Sequence, residues 1–64
     1  MKKVRITRQA YINCIKVCKE NNCLCELFFI NLASLLEDDE SIISVKGTQF
    51  ITSQLRIIEL NEII

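Results

Sequence analysis

The feature that most constrains this chain is a largely apolar segment that runs from residue 24 to 36 and reads LCELFFINLASLL, within which residues 27–36 are the longest apolar stretch. At the helical spacing of about 100° per residue, one broad arc of this stretch carries no polar residue, which is typical of a face that packs on a core. That arc consists of Leu24, Cys25, Phe28, Phe29, Leu32, Leu35 and Leu36. We therefore predict a helix that packs on the core through this arc.

The opposite arc of the same helix is partly apolar as well. It carries Glu26, Asn31 and Ser34, but also Leu27 and Ile30, which lie one turn apart. A chain of 64 residues buries only about 60% of the surface that it exposes when unfolded, so little of it remains to cover a second face. We predict that Leu27 and Ile30 contact a second chain. The alternative is that the rest of the domain covers them.

The composition favours association of one small domain, residues 1–64, into a homodimer or a higher oligomer. Half of the residues are apolar, and because only 6% are aromatic the excess is aliphatic. A monomer of this size would leave much of that apolar surface exposed. The C-terminal residues Ile63 and Ile64 are part of this excess, and we predict that they also contribute to self-association.

The chain is expected to act in the cytoplasm rather than in a membrane. Asn31 and Ser34 interrupt its apolar stretch, which is well short of the ~20 residues that a membrane-spanning helix needs. The basic N-terminus is not followed by the continuous apolar segment and small-residue cleavage site of a signal peptide.

The first part of the chain predicts a short strand followed by two helices. Residues 2–6 alternate between polar and apolar side chains, as in a half-buried strand. Thr7 is a suitable N-cap for a helix with an apolar stripe. The stripe consists of Tyr11, Cys14, Ile15 and Cys18, extended by Ala10 and Val17. Asn21 and Asn22 interrupt the helical pattern and tolerate the left-handed backbone that ends helices, so we expect a tight helical hairpin.

The second half of the chain predicts β-structure. The acidic run 37–40 should end the second helix, because carboxylates are unfavourable at the negative end of a helix dipole, and should form a solvated loop. Residues 41–52 then fit a β-hairpin with a two-residue turn at Lys46 and Gly47, the only glycine. This register pairs Val45 with Thr48, and Ile43 with Phe50, on one apolar face.

Residues 53–64 fit no amphipathic helix, and we predict a third β segment with a bulge near Ile57. The predicted fold is therefore α+β: an N-terminal strand, a two-helix hairpin, a β-hairpin and the third β segment. The alternative is a mostly α-helical fold with a C-terminal helix.

Four cysteines within twelve residues are the only cluster of metal-type ligands in the sequence: Cys14, Cys18, Cys23 and Cys25. Zinc sites usually space two ligands by two to four residues and leave a longer gap before the next pair, whereas here the gap is short and the second pair is Cys-x-Cys. We interpret the cysteines mainly as small buried hydrophobes. Zinc coordination and disulfides are the alternatives, and Cys23 is the candidate for a reactive thiol near a helix N-terminus.

The sequence argues against an enzyme. It has no histidine, which is the commonest general base, and a single glycine, which excludes a glycine-rich phosphate loop. Its adjacent carboxylates are confined to the acidic run 37–40 and are more typical of a solvated surface than of acid–base catalysis.

A basic strand followed by two helices resembles the element order of a ribbon-helix-helix repressor, whose paired strands enter the DNA major groove. The resemblance covers about half of the chain. It implies an obligate dimer in which Lys3, Arg5 and Thr7 face DNA, with Arg8 as a further contact. The charge-neutral composition and the β-rich second half depart from it.

The sequence thus predicts a non-enzymatic regulator or inhibitor that self-associates, needs no cofactor and binds another macromolecule, most simply a protein. The size and the abundance of Ile, Asn and Lys resemble those of phage or mobile-element inhibitors. The alternative is a dimeric DNA-binding repressor.

Overall fold

The computed structural model describes residues 4–64 and confirms the predicted α+β fold. A short strand precedes a helical hairpin, and a β-meander follows it. A single 3-10 turn, and no C-terminal α-helix, follows the last strand within residues 4–64. The elements are β1 (Arg5–Ile6), α1 (Arg8–Glu20), α2 (Cys25–Leu35), β2 (Ser41–Lys46), β3 (Gln49–Thr52), β4 (Ile57–Glu59) and the 3-10 turn (Leu60–Glu62).

The four strands form one sheet in the order β1-β2-β3-β4. β1 pairs with β2 in parallel, and the other two pairs are antiparallel. Both helices cover the face of the sheet that carries Ile42, Phe50 and Ile58. The rings of Phe28 and Phe50 meet edge to face with their centroids 5.5 Å apart, which places the centre of the core between α2 and β3.

Thr7 begins α1, as the sequence predicts. Its backbone is extended, and its Oγ1 accepts a hydrogen bond from the Ala10 N–H at 3.3 Å. The buried face of α1 is narrower than predicted, because Ala10, Cys14 and Cys18 face the core while Tyr11 is 48% exposed. The ring of Tyr11 stacks on Phe29 of α2 instead.

The predicted helical hairpin turns at Asn21 and Asn22. Asn22 takes a left-handed backbone conformation, φ 55°. The Cys23 N–H donates to the Cys18 carbonyl at 2.9 Å, and the Asn22 N–H donates to the Lys19 carbonyl at 3.3 Å. This pair of bonds is a Schellman motif, which satisfies carbonyl groups at the end of α1.

The core arc of α2 is also narrower than predicted. Phe28, Leu32 and Leu36, spaced by four residues, are buried against the sheet. Leu24 and Leu35, which we predicted to lie on the same face, are 70% and 38% exposed. Leu24 is the N-cap, so its extended backbone turns its side chain away from the helical face.

The predicted hairpin register is wrong, because the turn lies one residue later than predicted and the strand pairing is shifted by two residues. The turn residues are Gly47 and Thr48, so Lys46 pairs with Gln49, and Val45 with Phe50. Of the two turn residues only Gly47 has a positive φ, 62°, which is the pattern of a type II′ turn with glycine first.

Ile43 does not face the core with Val45, as the predicted register required. The β2–β3 register shifts between Ile42 and Ser44, so Ile43 is the extra residue of a bulge and is 42% exposed. The bulge changes the alternation and allows Ile42 and Val45 to point to the same face.

The third β segment is confirmed as β4, but the predicted bulge near Ile57 is wrong, because β3 and β4 pair without a register shift. The change of face occurs at both ends of the strand instead. Leu55 has a left-handed backbone, φ 61°, in the turn that precedes β4. The 3-10 turn after β4 then directs Leu60 into the core.

The acidic run follows the end of α2, as predicted, but only its first three side chains are exposed. Glu40 is buried and pairs with Arg56, which donates from Nε to Oε2 at 2.8 Å and from Nη2 to Oε1 at 2.5 Å. The Arg56 guanidinium holds the pKa of Glu40 down at about 2, against the opposing effect of burial. The prediction of a wholly solvated acidic loop is therefore wrong at Glu40.

Neither helix within residues 4–64 has the length and apolar character needed to cross a membrane.

Candidate binding surface

The most prominent exposed apolar surface lies along α2. Leu24, the N-cap, lines the same groove as Leu27, and Leu27 and Ile30 lie along one side of the helix at three-residue spacing. Their exposed fractions are 70%, 53% and 42%. Ile64 is 63% exposed and lines the same groove as Leu24 and Leu27. We call these four residues the α2 patch.

The C-terminus reaches α2 through its backbone. The Asn31 Nδ2 donates to the Ile63 carbonyl at 2.7 Å, which fixes the chain end against the helix. Ile63 is only 2% exposed and belongs to the core, whereas the next side chain, Ile64, points outward. The structure therefore separates two residues that we predicted to act together in self-association, and Ile63 cannot present its side chain to a second copy in this conformation.

A groove of about 330 Å³ runs beside the α2 patch, where the end of α1, the start of α2 and the C-terminus meet. Leu24, Leu27 and Ile64 line it together with Cys23 and Asn31. Among residues 4–64, those that line the groove carry no charged side chain. A surface depression of this composition suits an apolar side chain of another protein, because such a contact leaves no buried charge unpaired.

A second apolar surface, which the sequence interpretation missed, lies on the sheet face that the helices leave uncovered. Ile51 sits between Ser44 and Ile57 across the strands of this face. Ile57 is 57% exposed and Ile51 is partly buried. The bulge residue Ile43 is exposed as well. The sequence did not indicate this apolar face, because the predicted register assigned Ile43 to the core.

The cysteines divide into two buried and two partly exposed thiols. Cys14 and Cys18 are fully buried, and burial raises the pKa of each to about 12. Cys23 and Cys25 are partly buried and pack against the edge of the core. All four are free thiols. Across residues 4–64, no group of three or more Cys, Asp or Glu side chains has an arrangement suited to a metal ion.

The residues proposed for DNA contact are only partly described. Lys3 lies outside the described residues, and Arg5 and Arg8 are exposed. β1 pairs in parallel with β2 of its own chain, Arg5 opposite Ser41 and Ile6 opposite Ile42. In a ribbon-helix-helix dimer the corresponding strand pairs with the partner chain. This chain therefore shares the element order of a ribbon-helix-helix protein, but one edge of β1 is already paired with β2 of the same chain.

No family model matches this chain, and no significant match to it is found among curated proteins or solved structures. Its functional assignment therefore depends on the geometry of its surfaces.

Proposed function

We propose that this protein is a small non-enzymatic regulator or inhibitor that self-associates through the α2 patch and binds another protein. The observation that carries the proposal is the clustering of Leu24, Leu27 and Ile64 around an uncharged groove. Contiguous apolar surface of this kind usually marks an interaction site in a water-soluble chain. Its free thiols suit a reducing compartment, and we place its action in the cytoplasm.

The size of the surface supports an interface along most of α2. A stable protein interface covers about 800 Å² on each partner. The accessible surface of this chain totals 4415 Å², so such an interface would occupy roughly a fifth of it. Four side chains alone are too few, so the polar rim of α2, including Glu26 and Ser34, would also be covered. A polar rim around an apolar centre is the usual anatomy of an interface.

The sheet face that the helices leave uncovered is the proposed binding surface for the regulated protein, since the α2 patch is used for self-association. Ile51 and Ile57 form its apolar centre, and Lys46, Gln49 and Glu59 lie toward the hairpin end of the same face. The Gln49 Nε2 donates to the Glu59 Oε1 at 2.9 Å, which holds this polar margin in place. An apolar centre with a fixed polar margin favours binding of a protein over binding of a nucleic acid.

The decisive experiment measures the molar mass of the native protein by light scattering over a range of concentrations. The wild type should exceed the 7.4 kDa of one chain. Leu27→Asp and Ile30→Asp should return it to the monomer mass, weakening association about tenfold or more, because each places a charge in an apolar contact. Ile12→Asp is the matched control, since Ile12 is 48% exposed on α1, outside the patch.

Circular dichroism of each variant separates loss of association from loss of folding. A wild type that stays at 7.4 kDa at millimolar concentration would contradict self-association. Equal effects of Ile12→Asp and Leu27→Asp would contradict the assignment to α2. Recovery from the native host of one protein that is lost with Ile57→Asp would support the partner face, and recovery of nucleic acid alone would contradict it.

A further inference from the structure

Three of the four thiols meet at the junction of α1 and α2. Cys18 lies in the last turn of α1, Cys23 follows the left-handed Asn22, and Cys25 is the first residue of α2. In a Schellman motif the third residue before the cap and the second residue after it lie side by side. Cys18 and Cys23 occupy these two positions.

Two direct hydrogen bonds join Cys18 to Cys23. The Cys23 N–H donates to the Cys18 carbonyl at 2.9 Å, and the Cys18 Sγ donates to the Cys23 carbonyl at 3.0 Å. A disulfide requires Cα atoms about 4.4–6.8 Å apart, a separation that residues sharing a main-chain hydrogen bond commonly have.

The two thiols differ in access to solvent. Cys23 is partly exposed, lines the groove beside the α2 patch, and donates from Sγ to the Asn21 carbonyl at 3.7 Å. Cys18 is fully buried. A dissolved oxidant therefore reaches the Cys23 thiol before the Cys18 thiol. The buried Cys18 thiol is the group that can react with oxidised Cys23.

We propose that Cys23 and Cys18 form a thiol-oxidation site that closes to a disulfide in the presence of a peroxide. The Cys23 sulfur attacks hydrogen peroxide, the O–O bond breaks, and the products are the Cys23 sulfenic acid and one water. The Cys18 sulfur then displaces the sulfenic oxygen, the S–S bond forms, and the thiol proton leaves with that oxygen as a second water. Two electrons pass from the two sulfurs to the peroxide.

The disulfide would change the wall of the groove. Cys23 would turn its sulfur from the Asn21 carbonyl toward Cys18, which withdraws a polar group from the groove lining. The bond would also hold Asn22 in its left-handed conformation, because it closes the short segment that contains it. The oxidation site stands on the cysteine geometry alone and does not depend on the assignment of the α2 patch.

The test treats the folded native protein with a small excess of hydrogen peroxide, blocks remaining thiols with iodoacetamide, and measures the intact mass. Two of the four thiols should become unavailable for alkylation. The mass before alkylation should fall by about 2 Da, the loss of two hydrogens. Dithiothreitol should reverse the change.

Trypsin locates the bond, since it cleaves after Lys16, Lys19 and Lys46. Cys18 falls in the peptide 17–19, Cys23 and Cys25 fall in the peptide 20–46, and Cys14 falls in neither. The expected product links peptide 17–19 to peptide 20–46. Cys23→Ser should abolish this product, whereas Cys25→Ser and Cys14→Ala should retain it.

Three results would overturn the proposal. The first is over-oxidation of Cys23 without a cross-link. The second is a cross-link that survives in Cys23→Ser and disappears in Cys25→Ser. The third is a bond between two chains, seen as a doubled mass on a non-reducing gel.

Discussion

Arg56 binds Glu40 through both carboxylate oxygens and also donates from Nη2 to the Leu35 carbonyl at 2.8 Å. One guanidinium thus connects the end of α2, the acidic loop and the turn before β4. The Glu40 Oε1 accepts a further hydrogen bond from the Glu37 N–H at 3.0 Å, so the buried carboxylate is well supplied with donors. Removal of Arg56 would leave the buried Glu40 carboxylate without its cationic partner, whereas the Arg56 side chain is 45% exposed and would stay solvated without Glu40.

The Glu40–Arg56 pair should make stability depend on acid pH. Hydrogen bonds from Arg56 lower the pKa of Glu40 from 4.5 to about 2, so its ionised form is favoured by folding. Its contribution is present above pH 4.5 and is lost as the pH falls from 4.5 to about 2. We expect the wild-type melting temperature to fall through this window. Glu40→Gln should melt lower at neutral pH and should lose this part of the pH dependence.

Differential scanning calorimetry at half-unit intervals of pH measures both effects. Glu20→Gln, an exposed carboxylate on α1, is the control and should keep the wild-type profile. An identical acid profile for the wild type and Glu40→Gln would show that Glu40 carries no such linkage.

Gly47 should be intolerant of side chains for backbone reasons alone. Its φ is 62°, and a Cβ at this position would meet no atom within 4 Å. Gly47→Ala should therefore destabilise by about 1 kcal/mol through left-handed strain without a clash. Gly47→Asn should lose less, because asparagine is among the few residues besides glycine that are common at positive-φ positions of hairpin turns. Urea denaturation compares the free energies of unfolding, and equal losses for Ala and Asn would be evidence against a backbone cause.

Leu55 should be a site where substitution stabilises the protein. Its side chain is 81% exposed while its backbone is left-handed, φ 61°, so the leucine gains little burial in return for an unfavourable conformation. Leu55→Asn and Leu55→Gly should each raise the free energy of unfolding by about 0.5–1 kcal/mol. Leu55→Ala should not, because alanine disfavours the left-handed backbone as leucine does. Chemical denaturation of the three variants measures the free energy of unfolding. Stabilisation by Leu55→Ala alone would show that the exposed leucine side chain, and not its backbone conformation, is unfavourable.

The parts of the fold that depend on neighbours in sequence were predictable. Thr7 caps α1 because its side chain reaches a backbone N–H three residues later, and Asn22 ends α1 through its own backbone preference. The exposure of Leu27 and Ile30 followed from the excess of apolar positions on a single short helix.

The parts that depend on distant contacts were not predictable. In the sequence Glu40 does not differ from its acidic neighbours, because its partner Arg56 is brought beside it only by the fold. The hairpin register depends on whether Gly47 takes the first or the second turn position. Both registers place Val45 and Phe50 on the apolar face, so the hydrophobic pattern alone did not distinguish them. Ile63 is buried and Ile64 is exposed in a segment whose Ile63 carbonyl is bound by the distant Asn31 side chain, a contact that the local sequence does not indicate.

Thr7 has a second role in how the chain can fold. Its Oγ1 caps α1, while its N–H donates to the Ile42 carbonyl of β2 at 3.1 Å. All other strand pairs are close in sequence, but β1 and β2 are separated by the whole helical hairpin. The contacts within the hairpin and within the β-meander are therefore local, whereas β1 reaches β2 only across the whole helical hairpin, so we expect β1 to dock last. Native-state hydrogen exchange should show the Thr7 amide among the earliest to open, with α1 fraying from the same end.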